Sequence, residues 1–206
     1  MSIDYIPIPK EIENMQLPDP DLLNQYIDLK NRIIWVADEI DIFTLNIIQD
    51  IVNWNRTDEQ QNIPIEERKP IKLIFFSPGG DLDIHNSLID VIELSKTPIY
   101  GINAGRCCSA AAFIFLSCHK RFTLSRAFFL FHQGSGAFAG SYGEVTAQIE
   151  NYQEQVSNLA LFMAKRTKYS GEEIANNITS EWYIDAKEAK EKGVCDEIID
   201  SIDELL

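Results

Sequence analysis

A serine surrounded by very small side chains lies just before an apolar run in the middle of the chain. Ser109 follows Gly105-Arg106-Cys107-Cys108 and precedes Ala110-Ala111-Ala112. A serine hydroxyl is an effective nucleophile only when a base takes its proton and N–H groups receive the developing oxyanion; helix N-termini expose such groups. A serine here is also a common helix N-cap, so Ser109 alone does not separate a nucleophile from a cap.

Two other segments could supply the missing chemistry. Gly79-Gly80 can turn the backbone and offer an N–H with no side chain in the way. His132 ends an apolar run and precedes a glycine-rich segment, whereas His85 and His119 are expected at surface or half-buried positions. With the N–H of Ala110 as a second donor, these residues form the nucleophile, base and oxyanion hole that acyl transfer needs.

The segments around these residues alternate between strand and helix patterns. Short β-branched or aromatic runs predict strands, and apolar spacing near 3.6 residues predicts helices between them. The predicted strands are 32–36, 71–76, 99–102, 121–124 and 127–131, and the predicted helices are 40–54, 83–97, 110–116, 142–167, 171–177 and 185–192. The polar stretch 55–69 is expected to be a surface loop. This order predicts an α/β fold with a mainly parallel sheet, in which Gly80, Ser109 and His132 fall at strand ends.

Composition narrows the possible partners. The chain has 206 residues, which suits one domain, and 32 Asp and Glu against 18 Lys and Arg give a net charge of −14. Such a charge repels phosphate backbones and anionic lipid surfaces, so neither nucleic acid nor a membrane is expected as a partner. Four cysteines without zinc-site spacing, and no pattern of a signal peptide or membrane span, indicate a reducing, cytoplasmic location.

Taken together, these motifs resemble the proteolytic subunit of the Clp protease, a serine peptidase with the crotonase-like ClpP fold. The likeness extends from about residue 29 to about residue 197. It is carried by blocks at 32–34 with 39–41, 77–80, the small residues around Ser109, 132–133 and 186–193. The resemblance implies an α/β fold of repeated β-β-α units with a protruding helical handle. We expect residues 1–28 to form an N-terminal arm and residues 29–206 the peptidase domain.

The resemblance also implies a role for each matching residue. Ser109 would attack the peptide carbonyl, and His132 would act as general base and then as general acid. Gly80 and Ala110 would donate the N–H groups of the oxyanion hole. The aspartate that completes the family's triad corresponds to Glu181, which is one methylene longer, and Asp185 is a possible substitute.

Besides Glu181, the chain departs from the family's usual pattern at three further places. Ala110 follows the serine where the family usually has methionine. Ser180 replaces the arginine that pairs across two rings, and the loop after the histidine reads His132-Gln133-Gly134 in place of His-Gln-Pro. The first change alters the base of the active site, and the second alters the contact between rings. The third removes one rigid residue beside the substrate.

The implied activity is that of a Clp-type serine endopeptidase that cleaves peptides or unfolded proteins inside a self-compartmentalised homo-oligomer. Heptameric rings, which can pair as a tetradecamer, and a separate AAA+ unfoldase are expected. No cofactor or metal is expected, and the chain lacks a phosphate loop for ATP. A catalytically weak paralogue with a structural or regulatory role is the main alternative. A crotonase-type acyl-CoA enzyme does not need Ser109, and a membrane-associated Ser-Lys peptidase would need a better placed lysine than Lys120.

Overall fold

The computed structural model describes residues 19–201, in two compact units that are considered separately. The first unit ends at Asn31 and the second begins at Arg32. The described part of the first unit is helix α1 (Pro20–Lys30), whose N-cap Asp19 accepts a hydrogen bond from the Asp21 N–H. Most of the arm predicted over residues 1–28 lies outside the described residues.

The second unit is built on a seven-stranded sheet. Five strands lie in the order β1-β2-β3-β4-β7 and are all parallel: β1 (Ile33–Val36), β2 (Ile71–Ser77), β3 (Ile99–Cys108), β4 (Lys120–Leu124) and β7 (Glu197–Ile199). Strand β5 (Phe128–Phe131) pairs in parallel with the end of β3 and antiparallel with β6 (Trp182–Asp185). The prediction of an α/β fold with a mainly parallel sheet is therefore confirmed.

Within residues 32–201, six α-helices connect these strands. They are α2 (Leu45–Gln60), α3 (Leu82–Leu94), α4 (Ala110–Ser117), α5 (Tyr142–Arg166), α6 (Gly171–Asn177) and α7 (Ala186–Lys192). In α5 the buried residues, Leu159 and Met163, are near its C-terminal end, so its first half projects from the core as the expected handle. Between residues 19 and 201, no helix is long and apolar enough to cross a membrane.

Three local expectations were wrong. Helix α2 continues to Gln60, where a loop was expected, because its polar residues find partners: the Asn55 amide donates to Ile51 O and Ser95 Oγ. Strand β3 runs to Cys108 because its second half gains β5 as a new neighbour. Strands β6 and β7 were missed, since each has four residues or fewer and little alternation in its sequence.

The core is centred on α4, all eight residues of which are buried. Phe113 packs edge to face on Phe131 with ring centroids 5.3 Å apart, and Phe115 contacts Phe75 and Phe129 at 5.7 and 5.0 Å. These contacts join α4 to strands β2 and β5. The start of α4 is therefore held firmly against the ends of the strands.

A buried ion pair ties the start of the sheet to α2. Asp58 is fully buried and accepts hydrogen bonds from Arg32 Nη1 and from the Thr97 hydroxyl, each at 2.8 Å. The hydrogen bond from Arg32 is the main cause that lowers the pKa of Asp58 below its ordinary value of 3.8, and burial opposes it. Removing one partner of such a pair leaves an uncompensated charge in the interior.

We expect Asp58→Asn to lower the free energy of unfolding at pH 7 by about 3–5 kcal/mol, because Arg32 loses its counter-charge. The pKa of Asp58 is lower in the folded state than its ordinary value of 3.8. Its ionised carboxylate therefore contributes fully to stability above pH 3.8, and this contribution is lost as pH falls through the folded-state pKa. The deficit of the variant should therefore shrink in acid. Urea denaturation from pH 7 to pH 2, with the exposed Asp90→Asn as control, measures this. Equal losses of unfolding free energy in Asp58→Asn and Asp90→Asn at pH 7 would contradict this role of the ion pair.

Candidate active site

Ser109 occupies a strained turn between a strand and a buried helix. Strand β3 ends at Cys108 and α4 begins at Ala110, and the one residue between them has φ 51° and ψ −128°. A non-glycine residue costs about 1–3 kcal/mol in such a region unless its surroundings hold it there. In the described structure the Ser109 hydroxyl makes no capping bond to α4, which argues against a simple N-cap.

The backbone around Ser109 explains how this turn is held. The Ser109 N–H donates to Leu130 O at 2.8 Å, and the Ser109 carbonyl accepts from the N–H groups of Ala112 and Phe113. The turn is thus bonded to β5 on one side and to the first turn of α4 on the other. A strand-to-helix turn of this kind pushes a serine hydroxyl out towards a substrate.

His132 lies at the same place because β5 pairs with the end of β3. Cys107 and Cys108 are in register with Phe129 and Leu130, so the residue that follows β5 is carried to the start of α4. The Nε2 atom of His132 is 2.7 Å from Ser109 Oγ. This distance is within hydrogen-bond reach, as a base that removes the serine proton requires.

The backbone of Gly79-Gly80 lies directly against Ser109. Gly79 has φ 99°, and a β-carbon on it would be 2.6 Å from Ser109 Cβ and 3.1 Å from Ala110 N. Ile40 N–H donates to Gly79 O and Asp81 N–H donates to Ile40 O, both at 2.8 Å, so this parallel bridge leaves the Gly80 N–H unused. The N–H of Ala110, the first of α4, is the second available donor.

Glu181 lies at the same end of the sheet but faces a different partner. The β5–β6 ladder ends at the pair Phe131 and Trp182, and His132 and Glu181 are the next residues on their strands. The Glu181 carboxylate accepts from the Tyr183 hydroxyl at 3.0 Å. Among the hydrogen bonds of the described residues, none joins Glu181 to His132. The assignment of Glu181 to a triad stays a prediction.

The other two histidines differ from each other. His119 is exposed, but His85 is fully buried, contrary to the expectation of a surface or half-buried residue. His85 Nδ1 is 2.7 Å from Leu82 O and its ring packs on Phe113. Burial lowers its pKa, so the ring fills core space beside α4 as a neutral group.

An open groove of about 470 Å³ begins at Gly80, the residue after the glycine that lies against Ser109. Its walls are the segment that begins at Gly80, the loop after His132 and the first half of α5. The lining includes the carboxylates of Asp81 and Asp83 and no basic side chain. Tyr152 on α5 donates to Gln133 O at 3.0 Å and so fixes the loop beside His132.

Comparison with known proteins identifies the family. The model of the Clp protease family matches residues 22–202, so the chain belongs to the Clp protease family. It is 31% identical over 134 residues to the ATP-dependent Clp protease proteolytic subunit 2 of Treponema pallidum, and 29% identical over 132 residues to that of Treponema denticola. These matches cover 64% and 63% of this chain and 67% and 66% of the two relatives, about two thirds of each.

A solved structure supports the fold in particular. A mutant of ClpP1 from Listeria monocytogenes matches with a TM-score of 0.74 over 89% of this chain and 99% of that chain, at 21% sequence identity. The architecture is thus the ClpP, crotonase-like one that the resemblance implied.

We expect Gly79→Ala to abolish reaction of Ser109 with a fluorophosphonate probe. The new β-carbon would meet Ser109 Cβ and the Cys108 carbonyl, at 2.6 and 2.7 Å, so the strained turn must move. The matched control is Gly143→Ala near the start of α5, where a β-carbon meets nothing within 4 Å, so labelling should be unchanged. Labelling of Gly79→Ala at the rate of the parent would contradict this account of the turn.

Proposed function

We propose that the chain is a serine endopeptidase that cleaves peptides or unfolded proteins. The observation that carries the proposal is the 2.7 Å separation of His132 Nε2 and Ser109 Oγ at a strained turn. Ser109 is the nucleophile, His132 the base, and the N–H groups of Gly80 and Ala110 form the oxyanion hole. The membership of the Clp protease family supports the reaction class.

The reaction would proceed in two halves. His132 Nε2 takes the proton of Ser109 as Oγ attacks the peptide carbonyl, and the two N–H groups stabilise the charge that develops on the carbonyl oxygen. His132 then gives that proton to the leaving amine, so that an acyl-enzyme remains on Ser109. Water, activated by His132, hydrolyses the acyl-enzyme and restores the serine.

Glu181 is the acid that we propose to orient His132. It follows directly on from the last paired residues of β5 and β6, and it is the family's aspartate position by sequence. Asp185 is the weaker choice because its carboxylate already accepts the Glu188 N–H at 2.8 Å and caps α7. A rotation of the Glu181 side chain away from Tyr183 would bring the carboxylate towards the imidazole.

The assembly is also part of the proposal. We propose heptameric rings, paired as a tetradecamer in the cytoplasm, with ATP consumed by a separate AAA+ unfoldase. The two relatives are named as proteolytic subunits of ATP-dependent Clp proteases. Large apolar side chains stand exposed on the single chain, as subunit contacts would require: Trp35 55%, Phe43 75%, Leu94 80% and Leu161 60%.

We expect Ser109→Ala and His132→Ala each to lower kcat/KM for a fluorogenic peptide by at least about 1,000-fold, because either change removes the nucleophile or its base. The two changes together should cost little more than one alone, since the residues act as a unit. Steady-state kinetics on the purified oligomer measure both effects. Unchanged cleavage by Ser109→Ala would show that another residue is the nucleophile.

A second candidate is a catalytically weak subunit with a structural or regulatory role in a mixed ring. It is favoured by the hydrogen bond of Glu181 to Tyr183, which leaves His132 without an orienting acid in the described structure. Light scattering and peptide cleavage on the same purified sample separate the two candidates. Robust cleavage by a homo-oligomer excludes the scaffold role, whereas an inactive ring that gains activity only with a second subunit supports it.

A further inference from the structure

Among the residues that the structure describes, no acid bonds to the nitrogen of His132 that faces away from Ser109. Nε2 is engaged with Ser109 Oγ, so the second ring nitrogen, Nδ1, is where an orienting carboxylate must bind. In residues 19–201 no hydrogen bond reaches Nδ1. An imidazole without such a partner is free to adopt the wrong tautomer or to rotate away from the serine.

The carboxylate that could serve His132 is engaged by a neighbour on its own strand. Glu181 and Tyr183 are two residues apart, so their side chains project from the same face, and the Tyr183 hydroxyl donates to Glu181 Oε2 at 3.0 Å. The Tyr183 ring also packs on Phe128 across the ladder, with centroids 5.8 Å apart. Both contacts hold the phenol over the β5–β6 ladder, whereas His132 follows the end of that ladder.

Glu181 is nevertheless within reach of the site. Residues that face one another across an antiparallel pair have Cβ atoms about 5 Å apart, and His132 and Glu181 follow the last such pair. The pKa of the Cys108 thiol is raised, mainly by burial but also by the charge of Glu181. The carboxylate thus lies in electrostatic range of the residue that precedes Ser109. Glu181 is exposed, so no packing prevents it from rotating.

We propose that Tyr183 is a positioning residue that holds Glu181 away from His132, and that its hydroxyl and the imidazole compete for one carboxylate. The inference rests on the proposed function and concerns the regulation of the same site. When Glu181 bonds to Tyr183, the site has a nucleophile and a base but no orienting acid. When Glu181 turns to His132, the triad is complete, and Tyr183 finds water in its place because 58% of its surface is exposed.

If the Tyr183 hydroxyl and the His132 imidazole compete for Glu181, removing the hydroxyl should raise activity. A hydrogen bond to a carboxylate changes an equilibrium by about 10-fold or more, so Tyr183→Phe should shift Glu181 towards His132 by that factor. The change keeps the ring on Phe128 and should leave the melting temperature unaltered. A residue with a merely structural role would not raise activity when it is truncated.

The test is a cycle of four proteins: the parent, Tyr183→Phe, Glu181→Gln and the double variant. The rate of fluorophosphonate labelling of Ser109 and kcat/KM for a peptide are measured against pH. We expect Tyr183→Phe to raise both rates about 10-fold. The acid limb of kcat/KM should move to higher pH, because a carboxylate beside the imidazole stabilises its protonated form. In the Glu181→Gln background, Tyr183→Phe should change neither the labelling rate nor kcat/KM.

The matched control is Tyr142→Phe, which removes the hydroxyl of a residue that is 90% exposed at the start of α5. An unchanged or lower rate in Tyr183→Phe overturns the inference, as does an equal gain in the Glu181→Gln background. Failure of the proposed function has a different signature: labelling that persists in Ser109→Ala, or a parent whose Ser109 is never labelled. Either result would also remove the basis of the inference about Tyr183.

Discussion

The rest of the site depends on the turn at Ser109, where the backbone passes from β3 into α4 through a conformation that L-residues avoid. The turn persists because both ends are fixed. Strand β3 is paired on both sides, and α4 is buried along its whole length, so neither end can relax to relieve the strain. The same geometry directs the hydroxyl outwards and leaves the first N–H of α4 free. A buried helix whose residues 110–116 are all apolar is thus what allows one polar side chain to be presented in a defined direction.

Strand pairing brings the other groups to this turn. Because β2, β3 and β5 run parallel, their C-terminal ends meet at one edge of the sheet, and Gly79, Ser109 and His132 each follow one of these ends. Gly79 must lack a side chain because the strand end lies in van der Waals contact with the serine. Preorganisation at this edge comes from the sheet and not from flexible loops, which would suit the role proposed for these groups in stabilising a transition state.

The sequence predicted the positions of site residues best where a residue type in its local context has few alternative roles. A serine among glycine, cysteine and alanine, a double glycine and a histidine after an apolar strand could be placed at strand ends from periodicity alone. The partner of Glu181 could not be predicted from the sequence. Strand β6 has four residues, and its pairing with β5 is a long-range contact that no local pattern reveals. His85 was misplaced for a related reason. Its burial depends on the ring of Phe113, which lies on another helix.

The central claim is that Ser109 is the reactive group of this protein. It is tested most directly by treating the protein with a fluorophosphonate, digesting it and locating the adduct by peptide mass spectrometry. The account predicts one adduct per chain, on the peptide that contains Ser109, and its loss when His132 is replaced by alanine. An adduct on another residue, or a Ser109 peptide that stays unmodified under conditions that label an active serine peptidase, would contradict the account.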